Sequence, residues 1–267
     1  MQQPSTSFSA RWPLAPSSTA DWLRELADDD GLSGFMPPPL PDAAWVLNAM
    51  YEHERGPADA SLDGVRRAGT ADGSVLPQVV GIIDLDGETI FTGGRLGRAE
   101  HPGPGWRRLR WADLARRSGD PIVPEGTLPC YRGFPSVESD RSRPVTIEPP
   151  TEGSLDRETW NRLVALLRVH SPAGPDTRCL AYYCPLTTHV YDFDNPRVQV
   201  GRLGDAEELY DHPDIDFSPA NLWAEDHSWV ICTDYDLWAT KVAGPAALID
   251  ALLNDSEIEA IRLPWAP

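Results

Sequence analysis

The sequence predicts an α+β fold in which antiparallel sheets are backed by helices, and three observations predict it. Short β-type runs close on tight turns, as in Val79 to Phe91 around Asp86-Gly87. One long stretch, Ser154 to Leu167, carries apolar residues at helical spacing. Strand and helix signals are also interspersed in the order β-β-(α)-β-β-α-β, which does not repeat as βαβ units. At 267 residues the chain has the length of one large domain or two modest ones, and 41% hydrophobic against 24% charged residues is ordinary globular usage. The organisation expected is a flexible arm over 1–17, an N-terminal α+β half over 18–138, a Pro-rich linker over 139–153 and a C-terminal α+β half over 154–267.

The arm mixes Gln, Ser and Pro without periodicity. A short helix is predicted after Ser18 or Thr19, with Trp22, Leu23 and Leu26 on one face and Asp28 to Gly31 as the stop. The apolar run Ala43 to Tyr51 fits a strand or a buried helix, and nine residues cannot arbitrate. After the Asp86-Gly87 hairpin comes the rigid turn His101 to Gly105, where His101 beside Arg107 and Arg108 could meet an anion. Trp106 to Arg117 then reads as one amphipathic element holding five arginines. Polar SDRSRPVTIEPPTEG, Ser139 to Gly153, marks the boundary, and Ser154 is the expected cap of the long helix. Strands are expected over Cys179 to Leu186, Arg197 to Leu203, Ser228 to Asp234 and Leu237 to Val242, the last two around a Tyr235-Asp236 turn. A helix over Pro245 to Leu253 and a strand over Ile258 to Leu263 close the chain. The tetrapeptide Gly-Arg-Leu-Gly, at Gly94 and again at Gly201, is read as a shared turn or chance.

With 41 acidic and 23 basic residues the formal charge is −18, which opposes binding to nucleic acid or to anionic membrane surfaces. Neither a run of about 18 apolar residues nor a secretory leader pattern is visible, so a cytoplasmic protein is expected. Cys130, Cys179, Cys184 and Cys232 suit buried thiols; the single close pair, Cys179 and Cys184, has no second pair to complete a zinc site. No cofactor is expected, since neither G-x-S-x-G, a P-loop nor G-x-G-x-x-G occurs.

The tail from Asn221 to Leu263 resembles a C-terminal block of an uncharacterised family of actinobacterial hypothetical proteins. Asn221-Leu-Trp223, Asp226, Ser228-Trp229, Thr233-Asp-Tyr-Asp236, Thr240 and Ala247 to Glu259 carry the resemblance. His227 stands where that block has Arg, and Ala243-Gly244 replaces a pair of glycines. The resemblance covers about one sixth of the chain and implies a fold class and origin, not a chemistry. Likeness to small α+β immunity proteins of toxin systems is analogy at the level of fold.

The strongest physical signal is charge: from Asp192 to Glu259 there are 16 acidic residues against Arg197, Arg202 and Lys241. Such a face would steer a basic partner, and it is equally what a solvated surface carries. The candidate partner-binding residues are Asp211, Asp214, Asp216, Glu225, Asp226, Asp234 and Asp236, with Trp223, Trp229 or Trp238 as an aromatic anchor. The expected function is therefore a non-catalytic protein that binds a basic partner, most concretely an immunity or antitoxin-like inhibitor of a toxin. Enzymatic activity is the alternative reading: the string Asp211-His-Pro-Asp-Ile-Asp216, with Asp234, Asp236 and His227, could supply general acid, base or metal ligands if these groups shared a cleft. No EF-hand spacing supports a cation there, and core packing competes for all three tryptophans.

Overall fold

The computed structural model describes residues 6–26, 35–38, 40–54, 82–85, 88–91, 96–123, 128–130, 147–188, 197–235 and 237–262. The fold is α+β. In chain order its strands are β1 (Leu14–Ala15), β2 (Asp42–Leu47), β3 (Met50–His53), β4 (Ile82–Leu85), β5 (Glu88–Phe91), β6 (Trp106–Leu109) and β7 (Ile147–Glu148), followed by β8 (Arg178–Tyr182), β9 (Val198–Arg202), β10 (Asn221–Ala224), β11 (Val230–Cys232), β12 (Ala239–Gly244) and β13 (Ala260–Ile261). The helices are α1 (Thr6–Arg11), α2 (Asp21–Leu26), α3 (Trp111–Ser118), α4 (Arg157–His170), α5 (Pro185–Thr188) and α6 (Ala246–Leu253). No described helix is long and apolar enough to cross a membrane.

Eight strands form an antiparallel sheet in the order β1-β9-β8-β10-β11-β12-β2-β13. Strand β2 pairs along its whole length with β12, Leu47 opposite Ala239 through Asp42 opposite Gly244, and on its other edge with β13. A strand hydrogen-bonded on both edges and covered on both faces has no polar side, which is why Ala43 to Leu47 reads as a continuous apolar run. Ala44 and Val46 face the core beneath α4 and α6, while Trp45 and Leu47 face a second cluster with Trp111 and Leu114 of α3. The ambiguous run thus becomes two strands, because β3 leaves for a separate sheet between β6 and β7. The expected hairpin is present as β4 paired with β5, Leu85 opposite Glu88.

Helix α4 lays Trp160, Leu163, Val164 and Leu167 on the main core. Its cap is Asp156, not Ser154: one carboxylate oxygen accepts from the Thr159 amide at 3.0 Å and the other from the Thr159 hydroxyl at 2.6 Å. The Ser154 hydroxyl instead accepts from the Ser218 amide. The stretch expected to be one amphipathic element over Trp106 to Arg117 is split into β6, which pairs with β3, and α3, whose first amides, Trp111 and Ala112, need an acceptor from outside the helix. Glu259 supplies it from far along the chain, at 2.9 and 2.8 Å. Burial holds the Glu259 carboxyl above its usual range even so.

Two expectations about organisation meet a different outcome. Residues 1–17 were expected to be a flexible arm; over the part described they form α1 and β1, with β1 on the edge of the large sheet beside β9 and Phe8 and Trp12 buried. Burial of the Trp12 ring outweighs the ordering of the segment around it. The end of the Pro-rich stretch is not linker-like either, since Thr151 to Asp156 are buried and Asn48 donates to the Thr151 carbonyl at 2.7 Å; residues 139–146 lie outside the described part. Gly201, in the second Gly-Arg-Leu-Gly, has a packing role: a Cβ there would stand 2.6 Å from the Trp12 ring.

Gly201→Ala should therefore destabilise the fold by about 1–3 kcal/mol through overpacking. In a Trp12→Ala background the same change should be nearly free, a coupling that urea unfolding of the four variants measures.

Candidate functional site

Four pieces of chain meet around a cleft of about 740 Å³. Tyr51 of β3 forms one wall, the loop from Leu96 to His101 a second, the first turn of α4 a third, and Tyr210 with Asp216 the fourth. Isolated parallel bridges, Leu96 to Glu152 and Ala99 to Asp156, hold the loop against the start of α4. Gly97, at φ 89°, lets that loop close: a Cβ would lie 2.5 Å from the Asp216 carbonyl oxygen, and the neighbouring Arg98 amide donates to that oxygen at 2.6 Å.

The two arginines that line the cleft are both engaged. Arg98 donates from Nη1 to the Tyr210 carbonyl at 2.7 Å and from Nη2 to the Asp216 carboxylate. Arg157 makes a forked pair with Asp211, with Nη1 to Oδ2 at 2.8 Å, and its guanidinium lies 4.6 Å from the centre of the Tyr210 ring. The pairing holds the Asp211 carboxyl below its usual range. Four carboxylates line the same cleft: Glu100, Asp156, Glu158 and Asp216. Glu100 and Glu158 are exposed and have no ion-pair partner among the described residues.

Two phenols complete the walls. Tyr210 is buried and its hydroxyl donates to the Ala99 carbonyl at 3.3 Å. Tyr51 is 8% exposed, with His101 edge-on to its ring at 4.8 Å, and its hydroxyl has no hydrogen-bond partner among the described residues. Burial, reinforced by Asp156 and opposed by Arg108, pushes the Tyr51 phenol up to about 12, so it is protonated throughout the physiological range. Asp156, 4% exposed, has the Arg108 guanidinium 3.9 Å away as well as Thr159.

The residues singled out from the sequence are not gathered at one place. Trp223, Trp229 and Trp238 are 1%, 0% and 9% exposed and belong to three different core clusters, so none of these three indoles stands at the surface. Their large apolar area went to packing. The 3₁₀ segment Leu203–Asp211 and the turn after it aim the neighbouring carboxylates apart: Asp211 at Arg157, Asp216 into the cleft, and Asp214 at a second opening of about 60 Å³. Glu225 pairs with Arg178 at 2.7 Å, and Asp226 accepts from Ser228 within its own turn. His227 stacks on Trp22 at 3.8 Å at the turn before β11, whereas Asp234 follows the other end of that strand. Asp236 lies outside the described residues. Among the described residues no three His, Cys, Asp or Glu side chains converge as a metal site.

In the second opening His212 sits between the rings of Phe8 and Tyr183, at 4.8 and 5.1 Å, and its Nδ1 accepts from the Asp214 amide at 3.2 Å. Burial pulls its pKa below the usual value. Buried Cys179 is pushed up to about 12, so its thiol is not poised as a nucleophile. Tyr51, Arg98, Glu100, Arg157, Glu158 and Tyr210 were not legible as a site in the sequence. The local signal that existed was Asp156 three residues before Thr159, a helix start placing charged residues on its first turn.

No family model matches the chain, and neither does any curated protein or solved structure.

His212 gives a pH prediction. Its pKa is depressed in the folded state, so the unfolded chain binds the extra proton first and stability falls as pH drops below about 6.5. His212→Gln should flatten that part of the stability curve, read as the urea midpoint between pH 7 and pH 5.

Proposed function

We propose that this protein acts in the cytoplasm by binding a basic partner protein, most concretely as an inhibitor of the immunity or antitoxin type. The observation that carries the reading is the balance of charge at the cleft: four carboxylates face two arginines, and both arginines are already held by Asp211 and Asp216. A cation approaching this side meets Glu100 and Glu158, which are exposed and have no ion-pair partner among the described residues. An anion such as a phosphate backbone would have to displace a carboxylate from each arginine first.

Carboxylates elsewhere on the acidic stretch contribute less than their number suggests. Arg168 holds Glu207, Arg11 holds Glu208 and Arg178 holds Glu225. The long-range field of a chain at −18 nevertheless favours encounter with a basic surface at low ionic strength. The enzyme alternative has less support, because Asp211 and Asp216 are each held by an arginine at the cleft while Asp214 lines a different opening.

The test is a pull-down from native lysate at low and high salt with mass spectrometry, followed by reconstitution with the purified partner. A single basic protein retained at low salt, lost at high salt and re-forming a stoichiometric complex is the expected result. Nothing retained at either salt, or a complex indifferent to salt, would overturn the reading.

A further inference from the structure

We infer that the cleft receives an arginine side chain of the basic partner, its guanidinium donating to the unpartnered Tyr51 hydroxyl and to Glu158 and Glu100 at the mouth. The inference rests on the partner-binding reading and adds the chemistry of one contact.

Two independent observations lead to it. The first is the Tyr51 hydroxyl: the side chain is 8% exposed, lines the cleft, and has no hydrogen-bond partner among the described residues. The ring is packed away while the hydroxyl is presented at the cleft wall with both its donor and its acceptor capacity unused by described residues, so it can bond a group that enters the cleft. The second is the inventory of donors and acceptors. Arg98 and Arg157 already donate to the Tyr210 carbonyl, Asp216 and Asp211, whereas Glu100 and Glu158 have acceptor capacity left. The cleft lacks donors more than acceptors, and a guanidinium is all donors.

Arginine fits better than a compact ammonium. Its planar fork can reach a carboxylate and the phenol together, and its apolar stem can lie along Leu96, which is 38% exposed at the wall. A volume of about 740 Å³ leaves room for the residues that flank it.

The experiment titrates full-length protein with blocked arginine (N-acetyl, N-methylamide) and with blocked citrulline, its neutral isostere, following cleft residues by NMR. Saturable binding of the arginine compound, at least about tenfold weaker binding of citrulline, and weakening by Tyr51→Phe and by Glu158→Gln are the expected results. Tyr51→Phe removes a hydroxyl that bonds to nothing described, so its melting temperature should match the parent and a fold defect cannot imitate the loss. Equal binding of citrulline, or no effect of Tyr51→Phe on arginine binding, would overturn the inference. If a partner is captured and reconstituted but Tyr51→Phe leaves its affinity unchanged, the inference fails while the partner reading stands. If the blocked arginine saturates the cleft but no partner is found, the partner reading fails and the cleft is a receptor for a free guanidinium instead.

Discussion

Strand β2 is the element on which the rest of the molecule depends. It belongs to the first fifth of the chain, yet it is hydrogen-bonded between β12 and β13 at the far end. The constraint this imposes is that the large sheet cannot be assembled from either half alone: β1 and β2 from before the Pro-rich stretch fill positions among strands that come after it. Side chains reinforce the joint. Glu259, just before β13, caps α3, and the Trp111 indole of that helix donates to the Asn48 carbonyl, which follows β2 directly. Asn221, fully buried in β10, exchanges hydrogen bonds with the backbone of Phe35 at 2.9 and 2.8 Å and so fixes the approach to β2.

The cleft is a by-product of that assembly. With β2 in the main sheet and β3 in a separate one, Tyr51 on β3 lines the cleft together with the first turn of α4. Around it the arginines do local work. A surface ion pair contributes about 0–1 kcal/mol, so pairs such as Arg157 with Asp211 matter less for stability than for where negative charge is left over. The stacking of Arg157 on Tyr210 keeps one guanidinium aside from the opening while leaving Glu158, its neighbour on the helix, exposed.

Much of the fold was legible in the sequence because local rules governed it. The Asp-Gly hairpin, the apolar stripe of α4 and the closing β11, β12, α6, β13 series all follow from period and turn chemistry. What was not legible depended on contacts between distant residues. The cap of α3 is Glu259, which no local pattern reveals, so Trp106 to Arg117 looked like one element. Trp12 looked like part of a loose arm because its partner, the bare Cα of Gly201, is far away in sequence. The site was hidden for the same reason. Density of charge along the chain points to Asp211 to Asp216, but a 3₁₀ segment and a turn leave Asp211 and Asp216 each tied to an arginine at the cleft and Asp214 at a different opening. The cleft instead gathers residues from four stretches far apart in the sequence, each unremarkable where it stands.

The position of β2 also bears on how the protein comes into being on the ribosome. An apolar strand with no polar face must wait until about two hundred further residues, through Ile261, have been made before both of its edges can be covered. During that interval it is an open edge suited to wrong pairing, with other strands or with another copy. A variant that loses β13 would leave that edge of β2 open, so Ala260 and Ile261 act as the closing staple of a sheet whose central strand lies about two hundred residues earlier.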